Sequence, residues 1–140
     1  MLVVAICNGA LFFAADLIRN ITTPMQFDTL ALKSYEGERS SGKISLRSHP
    51  KLDPAGKHLL LIDDIIDTGL TINKVVEYYR QFKPLSIKTC VLLNKQAGRQ
   101  GTAQADWIGF DIPDKFVVGY GLDFNEFMRN IPYIGTLNAD

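Results

Sequence analysis

Short apolar runs that alternate with helical segments constrain the fold of this chain more than any other feature. Each run has the length of a strand, and several are apolar throughout, as strands buried in a parallel sheet are. The predicted strands cover residues 2–6, 25–32, 59–62, 87–93 and 107–110, with a further short strand at 44–46. The alternation therefore predicts an α/β fold with a central, mostly parallel sheet flanked by helices.

Two helices are predicted between these strands. The first covers residues 11–21, follows a turn at Asn8 and Gly9, and ends before Pro24. The second ends at Pro84, and one of its faces carries the apolar residues Ile72, Val75, Val76, Tyr79 and Phe82. Because ligands of such sheets bind at the carboxyl ends of the strands, loops 7–10, 63–71 and 94–99 are expected to share one rim.

Length and composition indicate one ordinary globular domain. The chain has 140 residues, of which 46% are hydrophobic. Lys+Arg and Asp+Glu both number 15, so a nucleic-acid partner bound through a basic surface is not expected. The apolar start at 1–15 is too short for a membrane span and lacks the basic residues of a secretion signal. Cys7 and Cys90 form no CxxC pair, which predicts reduced thiols and a cytoplasmic protein with no membrane partner.

Segment 59–71, LLLIDDIIDTGLT, carries the clearest chemical pattern. An apolar strand runs into Asp63 and Asp64, and a third carboxylate, Asp67, precedes a Thr-Gly-Leu-Thr turn that opens a helix. Glycine lets the backbone approach a ligand closely, and the N–H groups of a helix N-terminus bind anions. Carboxylates at a strand end hold sugar hydroxyls or hydrated Mg²⁺. The pattern therefore indicates a sugar phosphate site, and the alternative interpretation is an acidic loop before a capped helix.

This pattern resembles the phosphoribosyl pyrophosphate (PRPP) motif of the type I phosphoribosyltransferases. A second segment, 110–126 (FDIPDKFVVGYGLDFNE), with Arg129 nearby, is similar to the C-terminal region of the hypoxanthine-guanine phosphoribosyltransferases. Residues 32–35 (LKSY) resemble the start of that family's mobile catalytic loop, and residues 92–99 fit as well. The resemblance extends from the first strand to Asn130, with independent motifs in the same order and spacing.

The resemblance implies a type I phosphoribosyltransferase fold and an enzyme of purine salvage. This enzyme would transfer ribose 5-phosphate from PRPP to N9 of a 6-oxopurine (hypoxanthine, guanine or xanthine) and release pyrophosphate. Asp63 and Asp64 would hold the ribose hydroxyls, directly or through Mg²⁺, and Asp67 is the implied general base. The implied cradle for the 5′-phosphate consists of Asp67, Thr68, Gly69, Leu70 and Thr71.

The remaining implied contacts lie in other loops of the rim. Lys95 would donate to the purine O6, Phe116 would stack on the base and the Val117 backbone would meet the purine edge. Asp123 is assigned to the purine site and to a second Mg²⁺, the expected cofactor. The implied pyrophosphate contacts are Asn8, Gly9 and Arg129. Ser34 and Tyr35 would belong to a lid that closes over the site and excludes water.

The resemblance also implies the organisation of the chain. Residues 1–140 are expected to form one phosphoribosyltransferase domain, with a core at about 1–110 and a C-terminal hood and base-recognition segment at about 111–140. The family carries further residues before its first strand, so either the hood is small or an upstream part is absent. Asn8 stands where many relatives have lysine, which predicts weaker PRPP binding. A homo-oligomer, a dimer or a tetramer, is expected.

Other classes of protein fit the sequence less well. A non-catalytic PRPP-sensing regulator on the same fold is the main alternative, although a sensor needs no base-recognition residues such as Lys95 and Phe116. A phospho-acceptor signalling domain would place its acidic residues on different strands. His49 and His58 have no partners at the spacing of zinc ligands, and the chain has no GxxxxGK[ST] pattern of an ATPase.

Overall fold

The computed structural model describes residues 1–33, 45–46, 50–95 and 104–137. Its strands in chain order are β1 (Leu2–Cys7), β2 (Gln26–Lys33), β3 (Ser45–Leu46), β4 (His58–Ile66), β5 (Ser86–Lys95) and β6 (Trp107–Ile112). They form one sheet in the order β3-β2-β1-β4-β5-β6. All neighbours pair in parallel except β3, which is antiparallel to β2 at the edge. This confirms the predicted α/β fold with a mostly parallel sheet.

Two helices, α1 (Leu11–Ile18) and α2 (Leu70–Arg80), pack against opposite faces of the sheet. Successive side chains of a strand point to opposite faces. In β1, Val3 and Ala5 share a buried cluster with Ala14 of α1, whereas Leu2 and Val4 share another with α2. Strand β1 is thus covered on both sides, which explains why its apolar run is uninterrupted. Neither helix in the described part of the chain has the length and apolar character that a membrane crossing requires.

Several boundaries differ from the prediction, and the ends of α1 and β4 have a clear physical cause. Helix α1 ends at Ile18, because the N–H groups of Asn20 and Ile21 bond to carbonyls three residues back and tighten the turn. Strand β4 extends four residues beyond 62, because its pairing with β5 continues as far as Ile66. Asp63 and Asp64 therefore lie inside the strand, and the predicted end of the strand was wrong.

The C-terminal part packs on the carboxyl end of the sheet. It contains a small antiparallel pair, β7 (Val117–Val118) with β8 (Gly135–Thr136). Leu122 is buried with Leu92 and Leu93 of β5. This packing holds the segment that carries Phe116, Asp123 and Arg129 over the rim predicted to bind ligands.

Candidate active site

A cavity of about 340 Å³ opens at the carboxyl edge of the sheet, between β1, β2, β4 and the start of α2. Its described lining consists of Ile6, Cys7, Gly9, Leu32, Asp63, Asp64, Ile65, Ile66, Asp67, Thr68, Gly69, Thr71 and Ile72. Six residues that the sequence predicted for PRPP or its 5′-phosphate are thus gathered around one space. Leu70 is the exception, because its side chain is exposed and does not line the cavity.

Asp63 and Asp64 place two neighbouring carboxylates in this wall. Each accepts a hydrogen bond from the next backbone N–H, Asp63 at 3.0 Å and Asp64 at 2.8 Å. Burial raises the pKa of Asp63 well above its usual range, and the neighbouring Asp64 carboxylate raises it further. Burial also raises the pKa of Asp64, an effect opposed by a hydrogen bond from Asp63 and by the positive charge of Arg129. Burial therefore disfavours the charged form of both carboxyls.

The turn between β4 and α2 has the geometry of an anion site. Gly69 precedes the helix with a φ of 80°, a left-handed conformation that glycine adopts without strain. The Thr68 hydroxyl accepts a hydrogen bond from the N–H of Leu70 at 3.3 Å, and the hydroxyl-bearing Thr71 also lines the cavity. The N-terminus of α2 therefore presents backbone N–H groups and threonine side chains to the cavity, as anion-binding turns do.

The turn after β1 lies directly against Asp64. A Cβ atom built on Gly9 would lie 1.8 Å from a carboxylate oxygen of Asp64, so no larger residue fits there without displacing it. Gly9 lines the cavity, whereas the exposed Asn8 does not. Cys7 lines it too, a contact that the sequence did not predict, and burial raises the pKa of this thiol. The position of Cys7 at the carboxyl end of an apolar strand could have predicted this contact, because ligands bind at that end of a parallel sheet.

Arg129 connects residues of the C-terminal segment to one another. Its guanidinium donates to the Gly121 carbonyl at 2.7 Å and pairs with Asp123 and Glu126, both at 2.9 Å. Asp123 also accepts a hydrogen bond from the N–H of Glu126. The two residues predicted to bind pyrophosphate and the second Mg²⁺ are therefore in contact with one another.

Lys95 is buried at the end of β5, beside the proposed general base. Its Nζ atom lies 3.7 Å from an oxygen of Asp67 and 3.5 Å from an oxygen of Asp114. Sequence reasoning did not single out Asp114, although it lies in the quoted segment two residues before Phe116. The structure therefore places a cationic donor between two carboxylates at the edge of the cavity.

The predicted base-recognition residues lie on and near β7. Phe116 is half exposed, and its ring packs edge-to-face against Phe124 with centroids 5.8 Å apart. Val117 pairs with Thr136 in the small sheet. An exposed aromatic face of this kind is suited to stacking on a planar ligand. The predicted lid residues Ser34 and Tyr35 lie outside the described residues.

The donor types at this edge fit magnesium. In the described residues, no cluster of three or more His, Cys, Asp or Glu side chains is placed to hold a metal ion by itself. Mg²⁺ is commonly bound by one or two carboxylates together with substrate phosphates and water. Asp63 and Asp64, which share the cavity with the anion-binding turn, provide oxygen donors for that mode of binding.

Comparisons with known proteins agree with this geometry. The model of the phosphoribosyl transferase domain matches residues 1–125. The chain is 44% identical over 137 residues to the hypoxanthine-guanine phosphoribosyltransferase of Bacillus subtilis, a match that covers 97% of this chain and 76% of that protein. It is 42% identical to the corresponding protein of Aquifex aeolicus over 135 residues, 96% of this chain and 76% of the relative.

The solved structures give the same result. A hypoxanthine phosphoribosyltransferase from Staphylococcus aureus has a TM-score of 0.92 and 38% sequence identity, over 98% of this chain and 75% of that one. A hypoxanthine-guanine phosphoribosyltransferase from Bacillus anthracis has a TM-score of 0.90 and 38% identity, over 96% of this chain and 78% of that one. The resemblance predicted from the motifs is confirmed: this chain belongs to the hypoxanthine-guanine phosphoribosyltransferase family.

Proposed function

We propose that this chain transfers the 5-phosphoribosyl group of PRPP to N9 of hypoxanthine or guanine, with xanthine as a further substrate to test. The products are a purine nucleotide and pyrophosphate, so the activity is one of purine salvage. One observation carries the proposal: the carboxylates Asp63 and Asp64 share a single cavity with the anion-binding turn. That turn contains Asp67, Thr68 and Gly69. Such a cavity suits a sugar that carries a phosphate at one end and free hydroxyls at the other.

Binding of PRPP is assigned to three parts of the site. The turn from Asp67 to Thr71 would hold the 5′-phosphate through backbone N–H groups and hydroxyls, with Leu70 contributing its backbone only. The carboxylates of Asp63 and Asp64 would accept hydrogen bonds from the ribose hydroxyls. Pyrophosphate would lie at the turn of Asn8 and Gly9, with Arg129 as its cationic partner.

The base would be held by the C-terminal segment and the end of β5. Phe116 would stack on the purine, and the Val117 backbone and Asp123 would contact its edge. Lys95 would donate to O6, which a 6-aminopurine lacks. The burial of Lys95 beside Asp67 supports this role, because a donor fixed in position discriminates between bases better than a mobile one.

Asp67 is the proposed catalytic residue. In the reaction, the bond from C1′ to the pyrophosphate oxygen breaks, the bond from N9 to C1′ forms, and Asp67 accepts the purine proton at N7. Positive charge develops on the sugar as the leaving group departs. The position of Asp67 in the cavity wall supports this role, because a base held against the ribose would lie in the same cavity.

Magnesium is the proposed cofactor. When bound, it would act as a Lewis acid that neutralises charge on the departing pyrophosphate. Asp63 and Asp64 would hold one ion together with the substrate, and Asp123 would hold a second. The lid assigned to Ser34 and Tyr35 would keep water from the reactive sugar.

The cellular setting completes the proposal. Cys7 and Cys90 are both free, which supports a cytoplasmic location. A homo-oligomer, a dimer or a tetramer, stays a prediction for this chain. The alternative of a PRPP-sensing regulator has no support, because the named relatives are transferases.

A product assay on the purified chain tests the proposal. Separate reactions would contain Mg²⁺ and PRPP with hypoxanthine, guanine, xanthine or adenine. We expect nucleotide and pyrophosphate from the 6-oxopurines and none from adenine. Absence of nucleotide with every base would overturn the proposed transferase activity. PRPP binding without turnover, measured by calorimetry, would then favour the sensor.

A further inference from the structure

The segment that carries Asp123 and Arg129 lies against the turn after β1. A Cβ atom built on Gly121 would lie 2.2 Å from the backbone oxygen of Gly9, so the two backbones are in direct contact. Arg129 donates to the carbonyl of Gly121, and its backbone oxygen accepts the N–H of the same glycine at 3.0 Å. Any movement of Gly121 away from Gly9 would therefore carry Arg129 away from the proposed pyrophosphate site.

Tyr120, the residue before Gly121, fixes this segment to helix α1. Its hydroxyl donates a hydrogen bond to the carboxylate of Asp16, 104 positions earlier in the chain. Its ring packs against Phe12 of the same helix, with centroids 6.3 Å apart. Helix α1 begins directly after the turn of Asn8 and Gly9. The contact thus joins the two segments to which pyrophosphate is assigned.

Several features keep this contact in one arrangement. Arg19 also pairs with the Asp16 carboxylate and holds it in place from the solvent side. The backbone of Tyr120 has a φ of 52°, and its N–H donates to the Ile131 carbonyl at 2.8 Å. Burial raises the pKa of Tyr120 to about 12, and the bond to Asp16 adds to this effect. The phenol therefore stays a donor throughout the neutral pH range.

We propose that Tyr120 and Asp16 form a latch that positions Arg129 for the pyrophosphate part of PRPP. Both latch residues act through others and touch no substrate. The inference rests on the proposed function, because it concerns how that site binds its phosphorylated substrate. The purine contacts at Phe116 and Val117 are held separately by β7 and β8, so they should not depend on the latch.

Steady-state kinetics of the full chain with Mg²⁺, PRPP and hypoxanthine test the latch. For Tyr120→Phe we expect the KM for PRPP to rise about tenfold, the size expected for loss of a hydrogen bond to a charged group. The KM for hypoxanthine and kcat should change less than about twofold, because the contacts at Phe116 and Val117 are held by β7 and β8. Tyr133→Phe is the matched control: its ring lies on the same segment, is 67% exposed and should leave all constants unchanged.

Variants of Asp16 separate positioning from general stability. Asp16→Ala should raise the KM for PRPP as Tyr120→Phe does, and the double variant should be no worse than either single one. Asp16→Asn keeps an acceptor oxygen and should restore most of the loss. Additive effects, or an equal rise in both KM values together with a lower Tm, would overturn the latch in favour of a merely structural contact.

Calorimetric titration with Mg²⁺ and pyrophosphate gives a readout that needs no turnover. We expect the Kd for pyrophosphate to rise about tenfold in Tyr120→Phe, by the same reasoning. An inactive wild-type chain that binds pyrophosphate, with weaker binding in the variant, would overturn the proposed function and support the latch. An active chain whose Tyr120→Phe variant keeps both its KM for PRPP and its Kd for pyrophosphate would overturn the latch alone.

Discussion

The Nζ atom of Lys95 lies 3.7 Å from a carboxylate oxygen of Asp67, although 27 residues separate the two in the chain. Asp67 follows β4 and Lys95 ends β5, and these neighbouring parallel strands finish at the same edge of the sheet. Asp114 lies on the other side of the lysine at 3.5 Å. This arrangement brings a candidate proton acceptor and a candidate O6 donor to one point, and two predictions follow from it.

Replacement of Asp67 by asparagine should remove the general base and keep a side chain of nearly the same shape. We expect kcat to fall about 100-fold or more, the range for loss of general base catalysis. The KM for PRPP should change less than about threefold, because the rest of the phosphate turn is intact. Glu77→Gln, the same chemical change on an exposed face of α2, is the control. Near-normal turnover in Asp67→Asn would remove this residue from the catalytic role.

Replacement of Lys95 by methionine should weaken the discrimination between purines. Methionine keeps the buried apolar stem and removes the donor, so the kcat/KM for hypoxanthine should fall about 10- to 100-fold. Activity with adenine should stay near its wild-type level, since adenine offers no O6. The control is Lys115→Met on the exposed neighbouring loop. An unchanged kcat/KM for hypoxanthine would show that Lys95 does not read the base.

Gly121 should tolerate no side chain. It has a φ of 102°, and a Cβ would lie 2.2 Å from the Gly9 oxygen. We expect Gly121→Ala to lower the free energy of unfolding by about 3 kcal/mol, from backbone strain together with the clash. Gly56 shares the left-handed conformation, with a φ of 68°, but has open space around its Cβ position. Gly56→Ala should therefore lower the free energy of unfolding, measured in urea, by only about 1 kcal/mol. Equal losses in the two variants would contradict the close contact between Gly121 and Gly9.

Asp106 should stabilise the fold in a pH-dependent way. Burial raises the pKa of this carboxyl, but hydrogen bonds from Lys88 and Thr89 outweigh burial and leave the pKa below its usual value. A lowered folded-state pKa gives stability that is present above the unfolded value and is lost as pH falls through the folded one. Asp106→Asn should therefore cost about 1 kcal/mol at pH 7, a modest value because solvent screens the group.

The same comparison of Asp106→Asn with the wild type in urea, at a pH below the lowered pKa of Asp106, supplies the contrast, since both chains then carry a neutral group. The difference in the free energy of unfolding should shrink there. A difference that stays constant with pH would show that the charge of Asp106 contributes nothing.

Replacement of Tyr79 by phenylalanine should not destabilise the fold. Its ring is fully buried in the cluster under α2, and its hydroxyl has no hydrogen-bond partner among the described residues. A buried hydroxyl without a partner costs stability, so Tyr79→Phe should leave the free energy of unfolding unchanged or raise it by about 1 kcal/mol. Tyr78→Phe, a neighbour with a partly exposed ring, should change it by less than about 0.5 kcal/mol. A clear loss of stability in Tyr79→Phe would reveal a partner for the hydroxyl.

Much of the fold was predictable because its signals are local. Apolar runs, and alternation of apolar and polar residues at 25–32, located five parallel strands. The helical spacing from Ile72 to Phe82 located α2. The boundaries were less predictable, since they depend on partners. Asp63 and Asp64 look like the residues after a strand, yet pairing with β5 continues through them. No feature of their own segment indicates how far a neighbouring strand extends.

The amino-acid sequence by itself determined the order of strands and helices along the chain, the carboxylates near the end of β4, the glycine of the turn that follows, and the family to which the chain belongs. These depend on residues that are contiguous, so a short stretch of chain contains the whole pattern. Only the tertiary structure decided which distant residues meet: Gly9 with Asp64, Lys95 with Asp114, and Tyr120 with Asp16. The reason is physical, because such contacts depend on how the sheet and the C-terminal segment pack in three dimensions. No local pattern in the chain specifies which residues this packing brings together.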